Sequence, residues 1–157
     1  MAVYPGTFDP VTNGHLDLIR RALAIFEKVL VGAAVNPEKG TLFPVEERVW
    51  MLQNATRNLK GVEVEPFDGL AVNFARDRKA CVILRGLRML SDFEYEFQMA
   101  LTNRSLDPKI ETVFMMPSPE HSYISSRLIK EAAALGADVS PFVPGFVEKR
   151  LRQKLRA

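Results

Sequence analysis

Cysteine and histidine are scarce in this 157-residue chain, which holds one Cys, Cys81, and two His, His15 and His121. A single thiol excludes an internal disulfide, and two imidazoles leave no zinc cluster of the usual Cys/His spacing. Cys81 falls in an apolar run and reads as a small core residue. No apolar run reaches the ~20 residues that cross a bilayer, and no signal-peptide pattern opens the chain, so a cytoplasmic protein is expected, with no membrane partner. Charge of one sign is also lacking: 21 basic and 19 acidic residues leave a net charge of +2. That balance argues against a nucleic-acid partner, although a local basic cleft stays compatible with it. Neither the G-x-G-x-x-G fingerprint nor the G-x-x-x-x-G-K-[ST] loop is present, so a bound nucleotide would need another signature. Repeats, low-complexity segments and linkers are absent as well, and residues 1–157 read as one domain with room for a sizeable core.

What is present is an alternation of strands and helices, led by Tyr4-Pro5-Gly6-Thr7-Phe8-Asp9-Pro10-Val11-Thr12-Asn13-Gly14-His15. Met1 to Tyr4 reads as a buried strand, the proline- and glycine-bearing middle as a loop, and an amphipathic helix starts from His15, with Leu16, Ile19, Leu23 and Phe26 at helical spacing. A strand, a glycine-bearing loop and a helix N-terminus together form an anion site, because backbone N–H groups and the helix dipole point at the same place. Pro-Gly and Asn-Gly pairs are also ordinary turn formers, so this loop alone leaves both readings open.

Four more apolar runs of strand length follow, Val29–Val35, Val62–Glu65 (ended by Pro66), Cys81–Leu84 and Ile110–Met116. Helices are expected after Pro44 (inner face Val45, Val49, Leu52 and Leu59), over Leu70–Lys79, from Ser91 to about Leu106, from Ser125 to Gly136, and around Val147, Leu151 and Leu155. Ser91 and Glu94 form a capping-box pattern. Phe93, Phe97 and Ala100 mark one apolar face of that helix and Tyr95, Met99 and Leu106 another, a pattern that means deep burial or a subunit contact. Such alternation implies βαβ units and a parallel sheet with helices on both faces. Ligands then bind beyond the carboxyl ends of the strands, where the first loop, the Lys39 loop, Arg85–Arg88 and Ser122–Ser126 all lie.

Thr12-Asn13-Gly14-His15 resembles the T/H-x-G-H motif of the nucleotidyltransferase superfamily. With Tyr4–Pro10, Arg85-Gly86-Leu87-Arg88, Asp92–Met99 and Ser122-Tyr123-Ile124-Ser125-Ser126, the chain resembles the bacterial phosphopantetheine adenylyltransferases over essentially its whole length. The resemblance implies a Rossmann-like, doubly wound α/β fold with a five-stranded parallel sheet. It also implies transfer of the adenylyl group of ATP to 4′-phosphopantetheine, giving 3′-dephospho-coenzyme A and pyrophosphate. Magnesium would ride on the ATP phosphates, coenzyme A would act as feedback inhibitor, and the chain would assemble into a hexamer.

The same resemblance assigns roles. His15 would donate to the α-phosphate, and Thr7, with the N–H of Phe8, would contact the reacting phosphates. Lys39 would reach the reaction centre; without its motif position it would be an ordinary solvated lysine. Arg85 would bind the pantetheine side and Arg88, with Gly86 and Leu87, the ATP phosphates, since a planar guanidinium grips phosphate oxygens. Glu96 would hold the nucleotide end, and Ser122, Tyr123, Ile124, Ser125 and Ser126 the β- and γ-phosphates. Leu70, Ala71 and Asn73 would lie along the pantetheine arm. His121 stands at an often aromatic position and would lie near the adenine. Arg127, where the family usually has a small residue, either adds a phosphate contact or faces solvent, and Ala71 is smaller than the methionine or leucine common there. No carboxylate cage for a metal is evident, and Asp9 serves equally as a turn cap. The shared His motif also permits a sister transferase with another phosphorylated acceptor, or a nucleotide-binding regulator without turnover. The Arg85–Arg88 and Asp92–Met99 motifs argue against the first, and the set Thr7, His15, Lys39 and Arg88 against the second.

Overall fold

The computed structural model describes residues 1–35 and 40–155. Five strands, β1 (Ala2–Gly6), β2 (Val29–Ala34), β3 (Val62–Phe67), β4 (Val82–Gly86) and β5 (Glu111–Met115), form one sheet in the order β3-β2-β1-β4-β5. Every pairing is parallel. Among the described residues the α-helices are α1 (Asn13–Ala22), α2 (Val45–Thr56), α3 (Ala71–Asp77), α4 (Leu90–Leu106), α5 (Ser126–Ala134) and α6 (Gly145–Leu155). None of the described helices is long and apolar enough to cross a membrane.

The two-residue period of the strands divides the core in two. Tyr4, Val29, Val31 and Leu84 pack with α1, α2, α5 and α6 on one face, through Leu16, Ile19, Leu52, Ile129, Val147 and Leu151. Val3, Leu30 and Ile83 meet Val72, Phe74 and Ala75 of α3 on the other. The strand order reverses between β1 and β4, and their ladder is short. Only Ala2↔Val82 and Val3↔Ile83 pair, whereas β1 pairs with β2 from Ala2 to Gly6. The two central strands therefore part before their carboxyl ends, and a crevice opens at the switch point.

Several local expectations are corrected. Pro66 lies inside β3 rather than ending it, because β3 is an edge strand paired on one side only and a missing N–H is tolerated there. Arg85 and Gly86 belong to β4, not to the loop after it. The α4 N-cap is Met89, with no side-chain cap bond, so the helix begins before the Ser91/Glu94 pattern. Leu23 caps α1 and Phe26 lies beyond it, while Leu59 follows α2; both Phe26 and Leu59 still pack against the core. Cys81 is exposed, one residue before β4, and not a core residue. On α4 the deep-burial alternative fails, which leaves the subunit-contact one: Phe93, Tyr95, Phe97, Met99 and Leu106 are exposed, while the polar Glu96 and Asn103 are buried.

Candidate active site

The crevice at the carboxyl ends of β1 and β4 is a cleft of about 820 Å³. Gly86 ends β4 beneath α1, where a Cβ would come within 2.5 Å of Leu18 Cδ1, so a side chain there would force the Leu18 side chain to shift. Gly6 ends β1 in the same way, with the Phe8 ring 2.9 Å from where its Cβ would be. Phe8 itself takes φ = 50°, a left-handed conformation that costs a non-glycine residue about 1–2 kcal/mol. Its ring anchors that turn: it is buried and meets Tyr4 and His15 edge-on.

Thr12 is the N-cap of α1, and its hydroxyl accepts from His15 N at 3.3 Å. His15 closes a capping box in return, with its Nδ1 accepting the Thr12 N–H at 3.1 Å. A backbone N–H can only donate, so Nδ1 of the neutral ring is the acceptor and Nε2 carries the proton. Burial, reinforced by the nearby Arg88 charge, pushes the His15 pKa down to about 4. At neutral pH His15 is therefore an uncharged donor through Nε2–H. Gly14 lines the same wall, and its N–H makes no hydrogen bond among the described residues. A first-turn N–H and the helix dipole thus add to the positive potential of the cleft.

Two arginines from the β4 end complete that wall and are held differently. Arg85 grips Glu96 of α4 with Nε and Nη2, at 2.7 Å from Nε to Oε2, and donates Nη1 to Pro5 O at 2.9 Å. Burial opposes the Arg85 charge, and the Glu96 carboxylate more than restores it. Arg88 is more open: it donates to Ile124 O at 3.2 Å and stands 3.4 Å from Asp92. Arg88 is thus the freer of the two guanidiniums, while Arg85 and Glu96 neutralise each other.

The opposite wall follows β5. Asp17 of α1 accepts Ser118 N at 2.9 Å and Ser118 Oγ at 3.0 Å, fixing a short 3-10 turn, Pro119–His121, over α1. Burial opposes the Asp17 charge, but these two bonds with the Arg21 and His121 fields hold its pKa below the usual carboxylate value. Ser125 is the N-cap of α5 and accepts from Leu128 N, while Ser126 Oγ donates to Pro10 O at 2.8 Å. This wall is therefore tied both to α1 and to the first loop.

Most residues expected at the site converge here. Thr7, Phe8, His15, Arg85, Gly86, Arg88, Glu96, His121, Ile124, Ser125, Ser126 and Arg127 all line the cleft. The Arg127 guanidinium pairs with Glu131 at 2.9 Å and is otherwise in solvent. Leu87, Ser122 and Tyr123 do not line the cleft. Leu87 N bonds Met115 O, Ser122 Oγ donates to Pro119 O, and Tyr123 lies edge-on against Phe142. Leu70, Ala71 and Asn73 are likewise apart from the cleft: they stand where α3 begins, after the edge strand β3, and Arg76 engages the Asn73 side chain. Lys39 lies outside the described residues.

Two contributors, Lys130 and Arg48, escaped the sequence reading, and Asp9 does more than cap a turn. Asp9 accepts the N–H groups of Leu42 and Phe43, both at 2.9 Å, and pairs with Lys130 of α5. Arg48 of α2 is buried against backbone carbonyls. It follows Glu46 and Glu47 in sequence, yet three residues after Val45 and four before Leu52 it falls on the inner stripe. Helical period was the available signal.

A family model described as cytidylyltransferase-like matches residues 3–132. Phosphopantetheine adenylyltransferase of Thermodesulfovibrio yellowstonii is 54% identical over 155 residues, 98% of this chain and 96% of that protein. The enzymes of that name from Caulobacter vibrioides and Caldanaerobacter subterraneus subsp. tengcongensis are 53% and 49% identical, each across 99% of this chain and 97% and 98% of their own length. A solved bifunctional NMN adenylyltransferase/ADP ribose pyrophosphatase from Francisella tularensis superposes with a TM-score of 0.70 at 16% identity. That superposition covers 99% of this chain, which spans about half (49%) of the solved one, and shows likeness of fold alone. With relatives of this identity matched nearly end to end, the chain belongs to the phosphopantetheine adenylyltransferase family of cytidylyltransferase-like nucleotidyltransferases.

Proposed function

We propose that the cleft between β1 and β4 transfers the adenylyl group of ATP to 4′-phosphopantetheine. A phosphate oxygen of phosphopantetheine forms a bond to the α-phosphorus. The bond from that phosphorus to its bridging oxygen breaks, and the electron pair leaves with pyrophosphate. The attacking phosphate is largely ionised near neutral pH, so no protein base or nucleophile is required. What the reaction needs is alignment of two anions and donors aimed at the charge that develops.

The observation that carries this reading is His15 fixed as a neutral Nε2–H donor at the N-terminus of α1, in a cleft that Thr7 and Arg88 also line. His15 then donates to the α-phosphate in the five-coordinate transition state. Thr7 and the Phe8 N–H take the reacting phosphates, Arg88 the ATP phosphates, and Ser125 and Ser126 the triphosphate tail, with His121 beside the adenine. Lys39 would add a cation. The pantetheine arm leaves the cleft past Arg85 towards Leu70, Ala71 and Asn73.

Magnesium enters this scheme on the ATP phosphates, as part of the substrate. Among the described residues no group of three or more His, Cys, Asp or Glu side chains stands together to hold an ion of its own. The nearby carboxylates are engaged, Asp9 by Lys130 and two N–H groups, Asp92 by Arg88. On this reading residues 1–157 form one catalytic domain, working in the cytoplasm as a hexamer and inhibited by coenzyme A.

The test is pyrophosphate release with ATP, magnesium and a panel of acceptors: 4′-phosphopantetheine, nicotinamide mononucleotide and glycerol 3-phosphate. Turnover with phosphopantetheine alone is expected. Turnover with another acceptor would move the substrate assignment, and ATP binding without any turnover would make the protein a regulator.

A further inference from the structure

Arg48 is a charged side chain with 2% of its surface exposed, and its partners among the described residues are all backbone carbonyls. Burial lowers its pKa, and the fields of Asp9 and Glu46 oppose that shift. One guanidinium reaches three separate pieces of chain. Nη1 donates to Thr7 O at 2.6 Å and to Ala34 O at 2.9 Å, and Nε donates to Phe43 O at 3.0 Å. These carbonyls belong to the loop after β1, to the end of β2, and to the residues just before α2. A buried guanidinium costs several kcal/mol in desolvation, and three charge-assisted bonds offset it.

The Thr7 bond bears on the cleft. Thr7 and Phe8 share a trans peptide, in which C=O and N–H point in opposite directions across one plane. Holding the Thr7 oxygen against α2 therefore turns the Phe8 N–H away from α2. That N–H makes no hydrogen bond among the described residues, and Thr7 and Phe8 both line the cleft. The turn is also costly to hold, since Phe8 has φ = 50°. The Phe8 ring fixes one side of the peptide, and Arg48 fixes the other.

We propose that Arg48 is a positioning residue for adenylyl transfer: its grip on the Thr7 carbonyl aims the Phe8 N–H into the cleft as a donor to the reacting phosphates. The inference rests on the adenylyltransferase reading. Arg48 touches no substrate; it sets the orientation of one peptide unit. A donor displaced by ~1 Å costs about a hundredfold in rate while leaving overall binding largely in place.

The experiment compares Arg48→Lys and Arg48→Met with the natural chain in kcat, KM for ATP and thermal midpoint. Wild-type turnover with phosphopantetheine is the reference, and its absence would refute the reaction rather than the role of Arg48. The expected result is a folded Arg48→Met protein with kcat down about a hundredfold and KM for ATP changed little, and an Arg48→Lys protein with partial recovery of kcat. A folded variant with unchanged kcat overturns the proposal, as does a rise in KM at constant kcat. Failure of Arg48→Lys to fold also overturns it, since the residue would then be a pillar of the core.

Discussion

The Thr12 N–H donates to His15 Nδ1 at 3.1 Å, and this bond leaves Nε2–H as the donor of a ring that lines the cleft. Under the role proposed for His15, helix capping and catalysis are the same contact seen from two sides. His15→Ala should lose about 10²–10³ in kcat, the usual cost of removing one donor to a developing charge. ATP binding by calorimetry should change little, because Arg88 and the α5 N-terminus remain. Near-normal turnover in the variant would remove His15 from the transition state.

Burial of that ring has a consequence for pH. The folded pKa is about 4 and the unfolded one about 6.5, so the unfolded chain binds the extra proton between these values. The contribution of His15 to stability is therefore complete above about pH 6.5 and drains away as pH falls towards 4. Imidazole NMR of the folded protein should find His15 still neutral at pH 5.5. Urea unfolding of wild type and His15→Gln at pH 7.5 and pH 5 should show the steeper loss in wild type. Equal losses would mean that the ring is not desolvated as the structure has it.

Arg88 adds to the same pKa, since its charge disfavours imidazolium. Arg88→Ala should raise KM for ATP and shift the His15 titration upward. Its hydrogen bond to Ile124 O is long at 3.2 Å and its Asp92 contact partly exposed, so stability should fall by no more than about 1 kcal/mol. A collapse in thermal midpoint would make Arg88 a structural tie between β4 and the wall that carries Ile124.

Much of this was legible beforehand because it follows from period and punctuation. Five apolar runs separated by helical stretches gave a parallel sheet, and the loops after those runs met at one end. The parts that were not legible depend on who meets whom across the fold. Nothing local marks Glu96 as the partner of Arg85, eleven residues away, or Asp9 as the clamp for Leu42 and Phe43. The motif marks His15 as a donor to the α-phosphate, but which ring nitrogen donates is legible only from its backbone partner. Arg48 does not stand out because the apolar Val45, Val49, Leu52 and Leu59 alone mark the expected inner face of α2, and its charge hides its place on the same stripe. On α4 the apolar stripes were visible, but a stripe alone does not say whether the same chain covers it.

Glu96 is 8% exposed and receives two bonds from Arg85. Glu96→Ala leaves a largely buried guanidinium with only the Pro5 carbonyl, and should cost about 2–3 kcal/mol in urea unfolding. Glu96→Gln keeps the shape and one acceptor and should cost less. Freed of its carboxylate, Arg85 also raises the positive potential of the cleft, so inhibition by added pyrophosphate should strengthen in Glu96→Gln. Unchanged stability in both variants would show that the ion pair is not formed in solution.

The apolar side of α4 leads to the last prediction. Phe93 and Phe97 stack on each other at 5.6 Å between ring centroids, yet they remain 44% and 46% exposed, beside Tyr95 at 64%. Leu101 continues the Phe93–Phe97 stripe and is exposed too. A run of large apolar side chains along one helix is larger than the scattered exposure normal for a monomer. The buried polar residues Glu96 and Asn103 face inward on the same helix, so a turn of α4 about its axis could not hide the stripe without exposing the Arg85 pair. Self-association, the assembly proposed for this chain, would cover it. Sedimentation at micromolar concentration should give a mass several times the 17.7 kDa of the chain, and Phe97→Glu should reduce it. Turnover per chain should survive in that variant to the extent that the cleft is complete within one protomer. A wild-type protein that sediments as a monomer, or a Phe97→Glu protein with undiminished mass, would refute the assignment of this face to assembly.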